Sequence, residues 1–230
     1  VAFIGLLVLI FLRNMEDKNT NFELPLNTLT NIKGVLKNES IWLLMLIIMC
    51  AYVGYKVTDI YSLYASEVML YDQIEAAEVG ALQLYLRPIV CIAIGLLADR
   101  TKNMFWIIFG FVTMLIGALI FSFGIINPDM NFIFFLSLVI LAVGTYSIRA
   151  LYFAVLKEAN VAFALTGTAV GIISVVGYSP DIFAGPIMGY LLDENPGIIG
   201  HQYVYFMLVI FSIIGLIASI RFARLTKTSG

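Results

Sequence analysis

The chain is predicted to be all-α and polytopic, a bundle of membrane-spanning helices, and three observations carry that prediction. Of its 230 residues, 61% are hydrophobic and only 12% charged, with a mean hydropathy of +0.99, which leaves too little polar surface to clothe a soluble globule. The apolar residues gather in runs of about 20 or more, the length a helix needs to cross a bilayer, whereas a membrane strand needs only about 10 residues of alternating polarity. Lipid also demands that backbone hydrogen bonds be satisfied internally, which a helix does by itself. The net charge of −2 offers nothing to a nucleic-acid partner, so what matters is where the charges sit.

The run over residues 1–12 starts in mid-segment with Val1 and is too short to span, so it reads as the end of a transmembrane helix whose beginning is missing. No basic leader or small-residue cleavage site marks it as a signal peptide. The chain is therefore expected to be a piece of a longer one. Residues 13–40 form the one long polar stretch. Within it Leu29, Ile32, Val35 and Leu36 recur at helical spacing beside Lys33 and Lys37, which suits either a short amphipathic helix on the membrane surface or a solvated linker. Six full spans follow within 41–222: Ile41 to Leu63, Val79 to Leu97, Met104 to Ile126, Met130 to Leu156, Ala164 to Leu192 and Tyr203 to Phe222. Residues 223–230 are left as a tail. Cys50 and Cys91 both fall inside apolar runs and are expected to be free thiols rather than a disulfide or metal ligands.

Orientation follows from the connections. Arg13, Lys18, Lys33, Lys37, Arg100, Lys102, Lys157, Arg221, Arg224 and Lys227 all lie on one side, and the opposite connections hold no Lys or Arg. Positive charge stays inside, so this side, with the C-terminus, is predicted to be cytoplasmic. The other side is acidic, holding Glu67, Asp72, Glu75, Glu78, Asp129, Asp193 and Glu194.

Within the spans remain Lys56, Arg87 and Arg149, with Asp59 and Asp181. An ionisable group at that depth costs several kcal/mol, about 2.5–3.5 on insertion scales, and normally faces a bundle interior or a hydrated cavity. These five occupy the first, second, fourth and fifth spans, while the third and sixth lack any except Arg221 at a tip. The order polar, polar, apolar thus occurs twice, as in a 3+3 inverted repeat whose third helices face lipid. Helical spacing aligns Tyr52, Tyr55, Lys56 and Asp59 on the first span, Gln83 and Arg87 on the second, Thr145 and Arg149 on the fourth, and Ser174, Tyr178 and Asp181 on the fifth. Four such stripes suit a site that binds a solute, with Arg87, Lys56, Arg149, Tyr55, Gln83 and Tyr178 as its candidates.

Several roles stay open at this stage. Lys56 and Asp59, at i and i+3, either line the site or neutralise each other. Arg149 either binds or snorkels toward the cytoplasmic end. Arg87 lies mid-span just before Pro88, where a helix commonly kinks, and is the foremost binding candidate. Asp181 follows Pro180 and reads either as a proton-coupling group, together with Asp59, or as a structural partner for an arginine. Gly167, Gly171, Gly177, Gly185 and Gly189 on the fifth span are expected to let helices approach closely. His201, at the outer end of the last span, reads as an interfacial residue or an outward-facing pH sensor.

The turn Gly95-Leu96-Leu97-Ala98-Asp99-Arg100-Thr101-Lys102 resembles the Gly-x-Leu-Ala-Asp-Arg-x-Gly/Lys-Arg motif of the major facilitator superfamily, with Asn103 where a basic residue is usual. Gly185-Pro186-Ile187-Met188-Gly189 similarly resembles that family's Gly-Pro-x-x-Gly element. The resemblance covers essentially the whole chain, as the end of helix 6 followed by helices 7 to 12. It implies the C-terminal half of a secondary transporter in the cell membrane, working by alternating access against a missing N-terminal half. Gly95, Asp99 and Arg100 would then act in gating, Gly95 by close packing and Asp99 by facing a helix N-terminus of the other half. Three cations against two carboxylates lean toward an anionic solute. A transporter-like sensor that binds without moving solute is the alternative. An enzyme would need a nucleophile, metal cluster or histidine-based acid and base, and one His with two Cys in apolar runs supplies none, so no cofactor or metal is expected.

Overall fold

The computed structural model describes residues 28–159, 161 and 165–228. The expected helix end over 1–12, the polar stretch as far as residue 27, and Ala164 at the expected start of the fifth span lie outside the described residues. Among those described the chain is helical and contains no strand. Six helical stretches are long and apolar enough to cross a membrane: Glu39–Glu67, Gln73–Ala98, Asn103–Ser122, Asn131–Leu151, Thr166–Glu194 and Ile198–Lys227. The chain is an all-α, polytopic membrane protein.

A short helix α1 (Thr28–Leu36) precedes the first span, with Val35 buried and Lys33 and Lys37 exposed, the amphipathic division expected from the spacing. Asn38 then caps α2 (Glu39–Val57). Its Oδ1 accepts from the Ser40 N–H at 2.9 Å while its amide donates to the Ala159 carbonyl at 2.9 Å, tying the lead-in to the segment after the fourth span. The first span is broken, against expectation. A 3₁₀ turn over Thr58–Ile60 separates α2 from α3 (Tyr61–Glu67). No proline announces this break, but the Thr58 hydroxyl donates to the Tyr55 carbonyl at 2.6 Å, a back-bond that competes with the helical ladder.

Helix α4 (Gln73–Ala98) begins at Gln73 rather than Val79, because Asp72 and Glu75 build a capping box: Asp72 Oδ1 accepts from the N–H groups of Ile74 and Glu75 at 2.8 Å, and the Glu75 carboxylate accepts from the Asp72 N–H at 3.2 Å. Pro88 lies inside this helix without ending it. Helices α5 (Asn103–Ser122) and α6 (Asn131–Leu151) follow, with a 3₁₀ segment over Ala154–Ala159. The fifth span consists of α7 (Thr166–Gly177) and α8 (Pro180–Glu194), interrupted at Tyr178 and Ser179. Pro180 occupies the first turn of the new helix, where a missing N–H costs nothing. Helix α9 (Ile198–Thr228) is longer than the expected Tyr203 to Phe222 and absorbs most of the tail. Arg221 and Lys227 near its end suit the negative pole of a helix, which favours continuation over an irregular tail.

The close helix crossing lies where the sequence did not flag it. A Cβ on Gly144 of α6 would sit 2.7 Å from the Gly110 carbonyl oxygen of α5, and one on Gly117 would sit 2.9 Å from the Leu141 Cβ. These three glycines bring α5 and α6 into backbone contact. A Cβ added to Gly167, Gly171, Gly185 or Gly189 would meet nothing within 4 Å, so the expected close approach does not occur there within the described residues. Only Gly177 among the fifth-span glycines closes on a neighbour, Ile48 of α2. Spacing shows that glycines share a face; it does not show what the face meets.

Packing follows a two-fold pattern. The third span packs on the fourth as the sixth does on the first, and the second packs on the fourth as the fifth does on the first. The third and sixth also pack on each other, as do the first and fourth. Exchanging the first triplet with the second leaves these pairings unchanged, which is the contact pattern of a 3+3 repeat. Buried Phe111, Phe121, Phe134, Tyr64 and Tyr205 fill the interior between triplets. The third and sixth spans turn exposed, wholly apolar stripes outward, Val112 and Ile116 on α5 and Ile210, Ile213 and Ile217 on α9. One end of the bundle carries the basic connections and the other the acidic ones; they are called the basic and acidic ends below.

Candidate functional site

Arginines from two different spans converge on one tyrosine of a third. On α2, Tyr52, Tyr55 and Lys56 share a face, and Asp59 follows one turn on in the 3₁₀ segment. Arg149 of α6 places its Cζ 4.0 Å from the Tyr55 ring centroid and 5.1 Å from that of Tyr52. Arg87 of α4 places its own 5.4 Å from the Tyr55 ring. Neither arginine has a carboxylate within ion-pair distance among the described residues. Arg149 does not snorkel away; its Nη1 is buried without a hydrogen-bond partner among the described residues. Stacking on a ring contributes about 0.5–2 kcal/mol but accepts no hydrogen bond, and a buried donor left unpaired costs about 1–3 kcal/mol. An anionic oxygen at this point would satisfy both the charge and the orphaned N–H.

Lys56 is held differently. Its Nζ lies 3.0 Å from Asp59 and 3.6 Å from Asp181, so the mutual neutralisation open to Lys56 and Asp59 is present and extends to a second carboxylate. Asp181 stands in the first turn of α8, where the positive helix pole favours a carboxylate. It also accepts from the Tyr52 hydroxyl at 2.9 Å. The alternative in which Asp181 partners an arginine is thus corrected, because the break after α7 turns it toward α2. Both intramembrane carboxylates are engaged by Lys56, and neither lies within ion-pair distance of the two arginines.

Gln83 and Tyr178 are drawn into the same region. Gln83 donates through Nε2 to the Thr58 carbonyl at 3.2 Å, repairing a backbone group exposed by the break, and accepts from the Tyr146 hydroxyl at 3.3 Å. Tyr178 sits at the end of α7, its ring edge-on to Tyr52 at 5.0 Å and its hydroxyl 3.2 Å from that of Tyr152. Tyr146 and Tyr152 were missed from sequence; Tyr152 lies at Arg149 plus three, a helical offset that would have found it. Thr145, aligned with Arg149 by spacing, is instead fully buried against Gly54, in helix packing rather than in the site. Cys50 and Cys91 are free thiols, the first buried and the second half-buried.

The turn with Gly95, Asp99 and Arg100 lies apart, at the basic end. Asp99 caps α4 and Arg100 is exposed. Thr101 donates to the Leu97 carbonyl at 2.9 Å and accepts from the Trp106 indole at 2.7 Å, fixing the reversal into α5. Gly95 has open space around it, so the expected close packing at that position is absent among the described residues. Beside the turn lies a cleft of about 680 Å³ bordered by Lys102, Glu158 and Lys227. Burial pushes the Glu158 carboxyl up from its ordinary value, and Lys102 partly opposes this. His201 lies in the first turn of α9, at the acidic end of the bundle. It is fully buried, with Nε2 3.0 Å from Glu67.

No family model matches the chain. It is 26% identical over 204 residues to "Inner membrane protein YihN" of Escherichia coli (strain K12), covering 85% of this chain and 47% of that protein. It is 39% identical over 62 residues to "Inner membrane protein YqcE" of the same organism, covering 27% of this chain and 15% of that protein. The chain thus spans less than half the length of the curated relatives it matches.

Proposed function

We propose that this chain is half of an inner-membrane transporter of the major facilitator type, which moves a small anionic solute by alternating access. The observation that carries the reading is the pair Arg87 and Arg149 on Tyr55, with no described carboxylate within ion-pair distance and with one buried guanidinium N–H unpartnered. Two guanidinium groups on separate helices suit a carboxylate, phosphate or sulfonate, whose oxygens accept from both. Tyr55, Gln83 and Tyr178 border the solute; Lys56, shared by Asp59 and Asp181, is a reservoir whose carboxylates take up a coupling proton. The sequence resemblance and the 3+3 packing pattern support a membrane transporter over other classes, and the printed names of the two relatives support an inner-membrane location.

In this reading the basic end is cytoplasmic, by the positive-inside rule, and the exposed Asp99 and Arg100 meet the other half there. Gly95, with open space beside it in this chain, is available for that same contact. The test is uptake of labelled small anions into liposomes by the full-length protein, with Arg87→Ala beside it. Saturable anion uptake that is lost in the variant is the expected result. Saturable binding without flux would replace the transporter by a sensor, and selectivity for cations or neutral solutes would end the anion reading.

A further inference from the structure

The acidic end contains a second polar group that the site above does not use. His201 of α9 is fully buried, and its Nε2 lies 3.0 Å from Oε2 of Glu67, the last residue of α3, whose side chain is 40% exposed. Its other nitrogen, Nδ1, is buried and has no partner among the described residues. Three more buried polar atoms nearby are also unpartnered, the hydroxyls of Tyr61, Tyr64 and Tyr205. Tyr64 meets His201 edge-on at 5.0 Å and Tyr205 at 5.9 Å. Buried polar atoms are normally satisfied by protein or by ordered water, which these unpartnered groups lack among the described residues.

We propose that His201 and Glu67 form a proton-binding site at the acidic end, completed by water held among the hydroxyls of Tyr61, Tyr64 and Tyr205. With the pair deprotonated, Nε2–H donates to the Glu67 carboxylate and Nδ1 needs a donor. With one proton added, the pair becomes imidazolium and carboxylate, and Nδ1–H needs an acceptor. A phenol or a water serves either need by rotating its hydrogen, whereas a fixed carbonyl or ammonium would lock one state. A ring of hydroxyls is therefore the surrounding that a group changing its protonation requires.

The groups facing the imidazole support this. From α3 come Glu67 and Tyr64, from α9 itself Tyr205, and the same cluster receives only the uncharged rings of Phe121 from α5 and Phe134 from α6. Among the described residues, Glu67 is the one charge that acts on His201. The pair also ties the first span to the sixth, so its protonation state bears on a contact between the two triplets. The inference does not rest on the anion-transport reading.

The test is nitrogen NMR of the full-length protein in nanodiscs, labelled at histidine, with the His201 signal identified by its loss in His201→Asn. The expected result is a reversible titration of that signal. Glu67→Gln, a half-exposed change that the fold tolerates, should lower the midpoint by about one unit or more, since it removes the charge that favours the imidazolium. If His201→Asn fails to fold, His201→Gln provides the assignment. Tyr64→Phe should lower the midpoint too, by removing a hydroxyl that would hold the water accepting from Nδ1–H. A signal that does not titrate between about pH 4 and 9, or one indifferent to Glu67→Gln, overturns the site. If anion uptake is absent from the same preparation, the transport reading fails while the titration still decides this one.

Discussion

Replacing Arg149 with alanine should remove an anion contact without loosening the fold. In the structure Arg149 lies over two rings, 4.0 Å from Tyr55 and 5.1 Å from Tyr52, and carries a buried N–H with no acceptor among the described residues. The stacking stabilises the fold by about 0.5–2 kcal/mol, and the unsatisfied donor costs about 1–3 kcal/mol. These offset each other, so the unfolding temperature of Arg149→Ala should stay within a few degrees of the parent. Affinity should behave differently. A hydrogen bond to a charged group contributes about 1.5–3 kcal/mol, which at about 1.4 kcal/mol per tenfold is a loss of about 10- to 150-fold in Kd. Arg149→Lys keeps the charge but loses the planar fork and its stacking, and should fall between the two. The assay is equilibrium binding of labelled small carboxylates, phosphates and sulfonates to purified full-length protein, with thermal unfolding alongside. Combining Arg149→Ala with Arg87→Ala should cost less than the sum of the two losses, because both groups grip one ligand. Wild-type affinity in a folded Arg149→Ala protein would refute the reasoning, as would a strict sum in the double variant.

Gly144→Val places a side chain where the Gly110 carbonyl lies 2.7 Å from a Cβ, and overpacking of this kind costs about 1–3 kcal/mol; an unfolding temperature equal to the parent's would contradict the crossing of α5 and α6. Cys91, half-buried, should react with a small thiol reagent in the folded protein, whereas Cys50 should do so only after unfolding; equal labelling of both would contradict their placement. Glu158 gives a pH effect of definite sign. Burial raises its pKa in the folded state, so folding binds the proton more tightly and stability from this group falls as pH rises from its ordinary range through the raised value. Glu158→Gln should therefore be more stable than the parent at pH 7, with the gain disappearing below the ordinary glutamate range; thermal unfolding across pH reads this directly, and a gain confined to acid would reverse the sign.

The spans were legible because each needs only length and hydropathy, and the polar stripe of α2 because Tyr52, Tyr55 and Lys56 are three and four residues apart on a regular helix. Asp72 and Glu75, which build the capping box that starts α4 at Gln73, were read only as acidic loop residues, because hydropathy alone placed the start at Val79. What else escaped depended on a second helix. The break after Val57 is held by Gln83 of α4, whose amide donates to the Thr58 carbonyl, and nothing within the first span reports that partner. Gly110, Gly117 and Gly144 looked ordinary because their importance lies in facing one another. His201 looked interfacial by its place near a helix end, yet Glu67, 134 residues away, provides it with a partner. Asp181 was found, but its partner was not, since the turn at Tyr178 and Ser179 sets its direction.

The uneven burial of the spans has a consequence for how such a chain can diverge. The first span is 61% buried within the chain, whereas the second and fifth are only 17% and 22% buried. A substitution in the first span must be absorbed by neighbours on several sides, but one on the outward face of α4 or α8 displaces nothing in this half. This half can therefore accept changes on those outward faces without repacking its other four spans.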